Sequence, residues 1–279
     1  MKDFRDRAVA VTGAASGIGR EIALAFARRG ARLALADVDA ERLEGVRGEL
    51  ARAGTEALAR VVDVSDAGQG GEWFDEVFRE MGRVDVLCNN AGVAVGGLVE
   101  DMSLADWEWI VGVNLWGVIH GCHFFYPRMV AQGGGGHIVN VASAAGLMPL
   151  PHSTPYCATK HAVVGFSETL RAEAARHGIG VSTICPGVVD TPITRAARLV
   201  SSTDRSTPRE LQEKIARIYA RRGYTPDRVA AAVVKAVEKN RGVAPVCPET
   251  YLGDWAHRLS RRINDAGLKR SVRAFMSRL

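Results

Sequence analysis

The stretch TGAASGIG (residues 12–19) decides the fold of this 279-residue chain. It follows a short apolar run and opens a helical pattern that stops at Gly30, so it joins a strand to a helix. Its glycines are spaced G-x3-G-x-G: Gly13, Gly17 and Gly19. Glycine lets the backbone approach a phosphate closely, and a helix N-terminus offers free N–H groups to a pyrophosphate. A glycine cluster alone often marks only a tight turn, but here the strand and helix around it predict a nucleotide site.

The same alternation of short apolar runs and longer amphipathic runs continues along the chain. Seven runs predict strands, at 8–13, 31–37, 57–64, 84–90, 137–143, 180–185 and 244–247. Helical segments separate the strands, among them 40–53, 73–81 and 107–131. Strands that alternate with helices predict the α/β class, with a parallel, doubly wound, seven-stranded sheet that has helices on both faces.

The length favours one large domain over two. We expect this domain to occupy residues 1–254 and to include a polar insertion at about 195–225 that acts as a substrate lid. Residues 255–279 form a basic C-terminal extension. Its apolar residues recur at helical spacing: Leu268, Val272, Phe275, Met276 and Leu279. Such a helix would either dock on the protein or a neighbouring subunit, or make a peripheral contact with an anionic membrane.

The composition indicates an ordinary soluble protein, with 47% apolar and 24% charged residues. No apolar run approaches the roughly 20 residues that span a bilayer, and no apolar leader follows the charged N-terminus, so we expect a cytoplasmic protein. Five scattered cysteines predict neither disulfides nor a metal site. The net charge is +5, and residues 255–279 alone carry +6, which leaves the remainder near neutral at −1 and argues against nucleic-acid binding.

Asp37 ends the second predicted strand, 24 residues after Gly13. A carboxylate at this point accepts hydrogen bonds from the hydroxyls of an adenosine ribose and repels a 2'-phosphate. The position therefore favours NAD (NADH) over NADP as cofactor, and no arginine follows Asp37 directly. The alternative is a surface aspartate that caps the next helix.

The segment YCATK (156–160) follows a predicted strand that ends at Ser143. Helical spacing places Tyr156 and Lys160 on one face, one turn apart. An ammonium near a phenol stabilises the phenolate, which makes Tyr156 a candidate acid/base in spite of an ordinary tyrosine pKa of about 10. On this pentapeptide alone, an exposed helix that carries both residues by chance is the simpler interpretation.

The motifs together resemble those of the classical short-chain dehydrogenase/reductase family. The matching segments are TGAASGIG (12–19), Asp63-Val64, NNAG (89–92), Asn114 in VGVNLWG, Ser143, YCATK (156–160) and PG with Thr191 in PGVVDTP. The resemblance implies a single-domain Rossmann fold and an NAD-dependent oxidoreductase. It also implies four catalytic residues: Asn114, Ser143, Tyr156 and Lys160. Tyr156 would be the acid/base, Lys160 would lower its pKa, Ser143 would bind the substrate oxygen, and Asn114 would hold a water that links Lys160 to solvent.

The resemblance also implies a cofactor site that runs from the glycine loop to the segment after the sixth predicted strand. Its residues are Gly13, Ser16, Gly17, Ile18, Gly19, Asp37, Asp63, Val64, Asn90, Ala91, Gly92, Tyr156, Lys160, Pro186, Gly187, Val189 and Thr191. Asp63 and Val64 would hold the adenine edge. The segment from Pro186 to Thr191 would close over the nicotinamide.

The segment after Ser143, AAGLMPLPHS, borders the substrate in this family and is mostly apolar. We expect the substrate to contact Ser143, Ala145, Met148, Leu150, His152 and Tyr156. An apolar wall with few polar anchors favours a hydrophobic secondary alcohol or ketone over a sugar or an acid. Two alternatives stay open: an NADP-dependent carbonyl or 3-oxoacyl reductase, and a non-catalytic regulator that senses NAD(H).

Two long predicted helices, at 107–131 and 156–177, carry more apolar positions than one face of a sheet can cover. Members of the family commonly pair these helices. We therefore expect a homotetramer or a homodimer.

Overall fold

The structure, a computed structural model, describes residues 1–200, 210, 212–213, 217 and 221–259. The strands are β1 (Ala8–Thr12), β2 (Arg32–Asp37), β3 (Ala57–Val61), β4 (Val86–Asn89), β5 (Val95–Gly96), β6 (Gly136–Val141), β7 (Ile179–Cys185), β8 (Arg198–Leu199) and β9 (Val243–Pro245). Seven of them form a wholly parallel sheet in the order β3-β2-β1-β4-β6-β7-β9. The predicted doubly wound sheet is confirmed.

Helices connect the strands and cover both faces of the sheet. They are α1 (Gly17–Ala27), α2 (Ala40–Arg52), α3 (Ala67–Met81), α4 (Leu104–Val111), α5 (Gly117–Ala131), α6 (Thr154–Ala174), α7 (Ile193–Ala196), α8 (Pro226–Lys239) and α9 (Pro248–Leu259). Side-chain caps fix several of their starts: Asp39 accepts from the Arg42 amide before α2, and Asp66 accepts from two amides before α3.

The sheet separates two apolar cores. In β1, which is buried along its whole length, Val9 and Val11 point into one core and Ala10 into the other. Helices α1, α2 and α8 close the first core, and α3, α5 and α6 close the second. Burial on both faces explains why the strands read as continuous apolar runs rather than alternating ones.

The segment predicted as one helix at 107–131 is interrupted. Helix α4 ends at Val111, a π-helical turn occupies Gly112–Trp116, and α5 begins at Gly117. A Cβ on Gly117 would lie 2.7 Å from Val64 Cγ2, so this glycine lets the helix approach the strand end closely. The wider turn carries Asn114, which is fully buried. Turns of this kind are frequent at functional sites.

Two predicted segments lie mainly or partly outside the described residues. Of the lid at 195–225, the structure describes α7, β8 and the approach to α8, and it adds a pairing that the sequence did not predict, between β5 and β8. Of the basic extension at 255–279, it describes only the end of α9. The apolar positions from Leu268 onward fall outside the described part. Among the helices within it, none is long and apolar enough to cross a bilayer.

Candidate active site

A cavity of about 1070 Å³ lies at the carboxyl edge of the parallel sheet. Parallel sheets place the loops that follow their strands at one edge, and ligands bind there. Nearly all the predicted site residues line this cavity: Gly13, Ser16, Gly17, Ile18, Asp37, Asp63, Val64, Asn90, Ala91, Gly92, Ser143, Ala145, Met148, Leu150, His152, Tyr156, Lys160, Pro186, Gly187, Val189 and Thr191. Gly19 and Asn114 do not line it and lie directly behind it.

The glycine loop is packed against the segment after β4. Gly13 has a φ of +64°, and a Cβ there would lie 2.7 Å from the Ala91 Cα. Asn90 Nδ2 donates to the carbonyl oxygens of Thr12 and Gly13, at 3.0 and 3.1 Å. A Cβ on Gly19 would overlap the Gly13 carbonyl. Gly19 therefore supports the loop by close packing, while the loop backbone faces the cavity.

The Asp37 carboxylate is held by two backbone amides. Its Oδ2 accepts from Ala15 N at 2.9 Å and its Oδ1 accepts from Asp39 N at 3.0 Å. The cap of helix α2 is Asp39, so the structure assigns the capping alternative to a different residue. Arg42 also lines this end of the cavity and lies 3.4 Å from the Asp39 carboxylate. The sequence pattern did not single it out because it lies five residues beyond Asp37.

Asp63 and Val64 follow strand β3 and lie at the same end of the cavity as Asp37. Asp63 Oδ1 accepts from the Ser65 amide and hydroxyl, at 2.9 and 2.7 Å, which fixes the turn after β3. Val64 is buried, and its carbonyl oxygen lies 2.9 Å from His120 Nδ1. Both residues line the cavity at the end that Asp37 occupies.

Lys160 lies at the junction of the cofactor and substrate parts of the cavity. It is only 3% exposed, its Nζ donates to the Val141 carbonyl at 3.0 Å, and the same atom lies 5.7 Å from the centre of the Tyr156 ring. Burial lowers the pKa of Lys160 to about 8. A Cβ on Gly92 would lie 3.3 Å from Asn114 Oδ1 and 3.5 Å from Lys160 Nζ, so a larger residue here would crowd both groups.

Asn114 connects helix α6 to the segment after β4. Its Oδ1 accepts from Val93 N at 2.8 Å, and its Nδ2 donates to the Val93 carbonyl at 2.9 Å and to Thr159 Oγ1 at 3.3 Å. Thr159 Oγ1 in turn donates to the Tyr156 carbonyl at 2.9 Å. The amide hydrogens of Asn114 are therefore committed within the protein, where they orient the turn that carries Tyr156. Thr159 was not predicted as a site residue, although it lies within the YCATK segment.

The loop after β6 forms the substrate side of the cavity. Ser143 precedes a short 3-10 turn, and its Oγ accepts from Ala145 N at 3.2 Å. Further along, Leu150 N donates to Cys157 Sγ at 3.2 Å, and the carbonyl of His152 accepts from Gly97 N at 2.8 Å. These bonds anchor the loop to helix α6 and to the end of β5.

The segment after β7 is held by the start of α9. Glu249 Oε1 accepts from Val188 N at 3.1 Å, and its other oxygen pairs with Arg222. Cys247 Sγ accepts from Gly187 N at 3.2 Å. Glu249, together with Trp109 and Asp101, lines the cavity and was not predicted. These residues share no short motif, since long-range packing brings them to the cavity.

The comparisons with known proteins agree with this geometry. The family described as short chain dehydrogenase matches residues 7–200 of the chain. The chain belongs to the short-chain dehydrogenase/reductase family. Members of this family bind NAD or NADP. Residues from the glycine loop to β8 thus lie within the matched region.

Three similar proteins illustrate the relationship. The probable oxidoreductase EphD of Mycobacterium tuberculosis is 43% identical over 249 residues, which are 89% of this chain and 42% of EphD. This short-chain dehydrogenase/reductase thus spans less than half of that relative. The C alpha-dehydrogenase of Sphingobium is 38% identical over 86% of this chain and 80% of its own length. A family member from Burkholderia phymatum, solved in complex with NAD, superposes with a TM-score of 0.85 at 34% identity, over 94% of this chain and 96% of that one.

Proposed function

We propose that this protein is an NAD(H)-dependent oxidoreductase that interconverts a hydrophobic secondary alcohol and its ketone, with Tyr156 as the acid/base. One observation carries the proposal: Ser143, Tyr156 and Lys160 line the same cavity as the glycine loop. A hydroxyl, a phenol and a buried ammonium beside a dinucleotide site are the groups that alcohol oxidation requires.

The residues present fit a dinucleotide. The loop at Gly13 and Gly17 adopts positive φ angles, the N-terminus of α1 follows it, and Asp37 stands at the end of β2. A bound nicotinamide would accept or supply the hydride. Asp37 would bind the adenosine ribose, and the segment from Pro186 to Thr191 would cover the nicotinamide end.

The protein's own groups handle the proton. In the direction of oxidation, Ser143 Oγ and the Tyr156 phenolate hydrogen-bond the alcohol, and Tyr156 accepts its proton as the C–H bond breaks. The protonated Lys160 stabilises the phenolate and so lowers the Tyr156 pKa. In the direction of reduction, the Tyr156 hydroxyl returns the proton to the ketone oxygen.

The preference for NAD over NADP rests on Asp37. Because Ala15 N and Asp39 N hold the carboxylate at the cavity wall, a 2'-phosphate would meet a fixed negative charge. Arg42 lines the same end and favours the alternative, an NADP-dependent carbonyl or 3-oxoacyl reductase. Arg42 is paired with Asp39, which reduces the charge it offers to a phosphate, so NAD remains the proposed cofactor.

The hydrophobic substrate class rests on the cavity lining. Beside the loop after β6, the wall is made by apolar residues of several elements: Val95, Leu98, Ala197, Leu199 and Val200. The carboxylates on this side belong to Asp101 and Glu249, and among the described lining residues the lysine and arginine are Lys160 and Arg42. An acidic substrate would meet repulsion here, and a polyol would leave most of its hydroxyls unpaired.

The proposal extends to the domain boundaries, the lid and the assembly of the protein. We infer that residues 1–254 form the catalytic domain, that the segment at 195–225 closes over the substrate, and that α5 and α6 pair in a homodimer or homotetramer. The basic extension at 255–279 docks on a subunit or contacts an anionic membrane. Helix α9, which overlaps the start of this extension, exposes Tyr251, Leu252, Trp255 and Leu259, and these apolar side chains support either role.

A substrate and cofactor screen tests the proposal. Purified protein is offered secondary alcohols, ketones, polyols and hydroxy acids with NAD and NADP in parallel, and the absorbance of the reduced nicotinamide is followed. We expect turnover of apolar ketones or alcohols with the NAD couple. Turnover confined to polyols or acids would overturn the substrate class, and faster turnover with the NADP couple would overturn the cofactor assignment.

A further inference from the structure

Trp109, on helix α4, lines the cavity. The Arg198 guanidinium carbon lies 3.7 Å from the centre of that ring, which is a close cation–π contact. Arg198 Nη1 also lies 3.7 Å from the Asp106 carboxylate, on the same helix. Arg198 itself does not line the cavity. The guanidinium thus covers one face of the Trp109 indole, at the border of the cavity.

The position of Arg198 is set by the backbone. Strand β8 pairs with β5, Arg198 N donates to the Ala94 carbonyl at 3.0 Å, and Val200 N donates to the Gly96 carbonyl at 2.8 Å. The residues on both sides of Arg198, Ala197 and Leu199, line the cavity. The small sheet thus fixes the backbone of Arg198, and contacts with Trp109 and Asp106 orient its guanidinium.

Aromatic surface is scarce in the described lining. Apart from the His152 imidazole, its aromatic rings belong to Tyr156 and Trp109. The proposed function commits Tyr156 to proton transfer. Trp109 is then the broad ring against which the part of a substrate remote from the reacting carbon can stack.

We propose that Trp109 is a specificity-determining residue that stacks on an aryl group of the substrate, and that Arg198 is a positioning residue that holds the indole for this contact. The proposal rests on the proposed function and narrows its substrate class to aryl ketones and aryl carbinols. A guanidinium on the outer face draws electron density from the indole, which favours an electron-rich ring, such as a phenol, on the inner face.

The test compares two ketones of matched shape, acetophenone and cyclohexyl methyl ketone, which differ in the π system of the ring. For each protein we compare the ratio of their kcat/KM values. Stacking adds an amount that corresponds to about three- to tenfold in such a ratio. We expect Trp109→Leu to lower the aryl preference by about this factor, and Trp109→Phe to retain most of it. Arg198→Ala should lower it by about two- to threefold, with partial rescue in Arg198→Lys.

One further measurement and one control variant distinguish stacking by Trp109 from a purely structural role. The affinity for NADH, measured by fluorescence, should stay within about twofold in the Trp109 and Arg198 variants, because neither residue borders the cofactor end. Trp116→Leu is the matched control, since this tryptophan is 50% exposed and lies outside the cavity. It should leave the ratio unchanged.

The proposal fails if Trp109→Leu slows both ketones equally, or if wild-type protein shows no preference for the aryl ketone. Where neither ketone is reduced, calorimetric binding of both to the protein with NADH decides the question. Equal affinities overturn the stacking proposal. Tighter aryl binding that Trp109→Leu abolishes supports it, even where the absence of turnover counts against the proposed function.

Discussion

The cofactor half and the substrate half of the cavity are built in different ways. The cofactor half consists of strand ends and tight backbone turns: Gly13 packs on Ala91, and backbone amides hold Asp37. The substrate half is assembled from loops and helices that are far apart in sequence, such as α4, β8 and the start of α9. Substitutions in the cofactor half would disturb close backbone contacts. In the substrate half, side chains can be substituted without disturbing the sheet.

Tyr156 stands where the two halves meet, and its removal should have the largest effect. Tyr156→Phe keeps the ring packing and removes the hydroxyl that transfers the proton. We expect turnover to fall by at least about 100-fold while NADH binding is retained. Steady-state kinetics and a fluorescence titration with NADH measure both quantities. Activity within about tenfold of wild type would contradict the acid/base assignment.

Gly19→Ala probes the rigidity of the cofactor half. A methyl group at this position would overlap the Gly13 carbonyl and Asn90 Nδ2, so the loop must move. We expect a loss of about 2–4 kcal/mol in the free energy of unfolding, together with weaker NADH binding.

Gly45→Ala, on α2, is the matched control for Gly19→Ala. Nothing lies within 4 Å of the added Cβ, so we expect a gain of about 0.5–1 kcal/mol from the higher helix propensity of alanine. Urea titration of both variants measures the difference. Equal effects would show that the close approach at Gly19 has no energetic consequence.

The burial of Lys160, where the two halves of the cavity meet, should lower the free energy of unfolding. Its folded-state pKa of about 8 lies below the usual value of 10.5, so the unfolded chain binds a proton that the folded chain lacks between these pH values. The penalty is complete below about pH 8 and diminishes as the pH rises toward 10.5.

Lys160→Met should therefore raise the stability of the cofactor-free protein by about 1–3 kcal/mol at pH 7, with loss of turnover. The gain is reduced because the Val141 carbonyl loses its donor. Thermal melts at pH 7 and at higher pH measure the effect. A variant less stable than wild type at pH 7 would show that the hydrogen bond outweighs the burial of charge.

Asp37→Ala should have a smaller effect than the changes at Tyr156 and Gly19, and this effect should concern the choice of cofactor. The change removes both the ribose acceptor and the charge that opposes a 2'-phosphate. We expect the ratio of kcat/KM for NAD to that for NADP to fall by about tenfold, which corresponds to about 1.4 kcal/mol. Parallel losses for the two cofactors would mean that Asp37 only supports the glycine loop through Ala15.

The sequence was informative where function depends on local spacing. The glycine pattern, Asp37 at a strand end and the Tyr156–Lys160 pair all follow from a strand, a turn or a helix of known geometry. The predicted helix at 107–131 was wrong in detail, because the π-helical turn around Asn114 depends on how closely Gly117 can approach Val64. That approach is a tertiary contact, and helical periodicity does not contain it.

The sequence by itself determined the parallel sheet and the family, since both follow from short segments: apolar runs that alternate with amphipathic helices, and motifs at fixed spacing. Only the tertiary structure showed that Arg198 covers Trp109, that Glu249 holds the segment after β7, and that Thr159 links Asn114 to Tyr156. These residues are far apart in the chain or carry no motif. Their contacts arise because the packing of helices and loops around the sheet brings their side chains together.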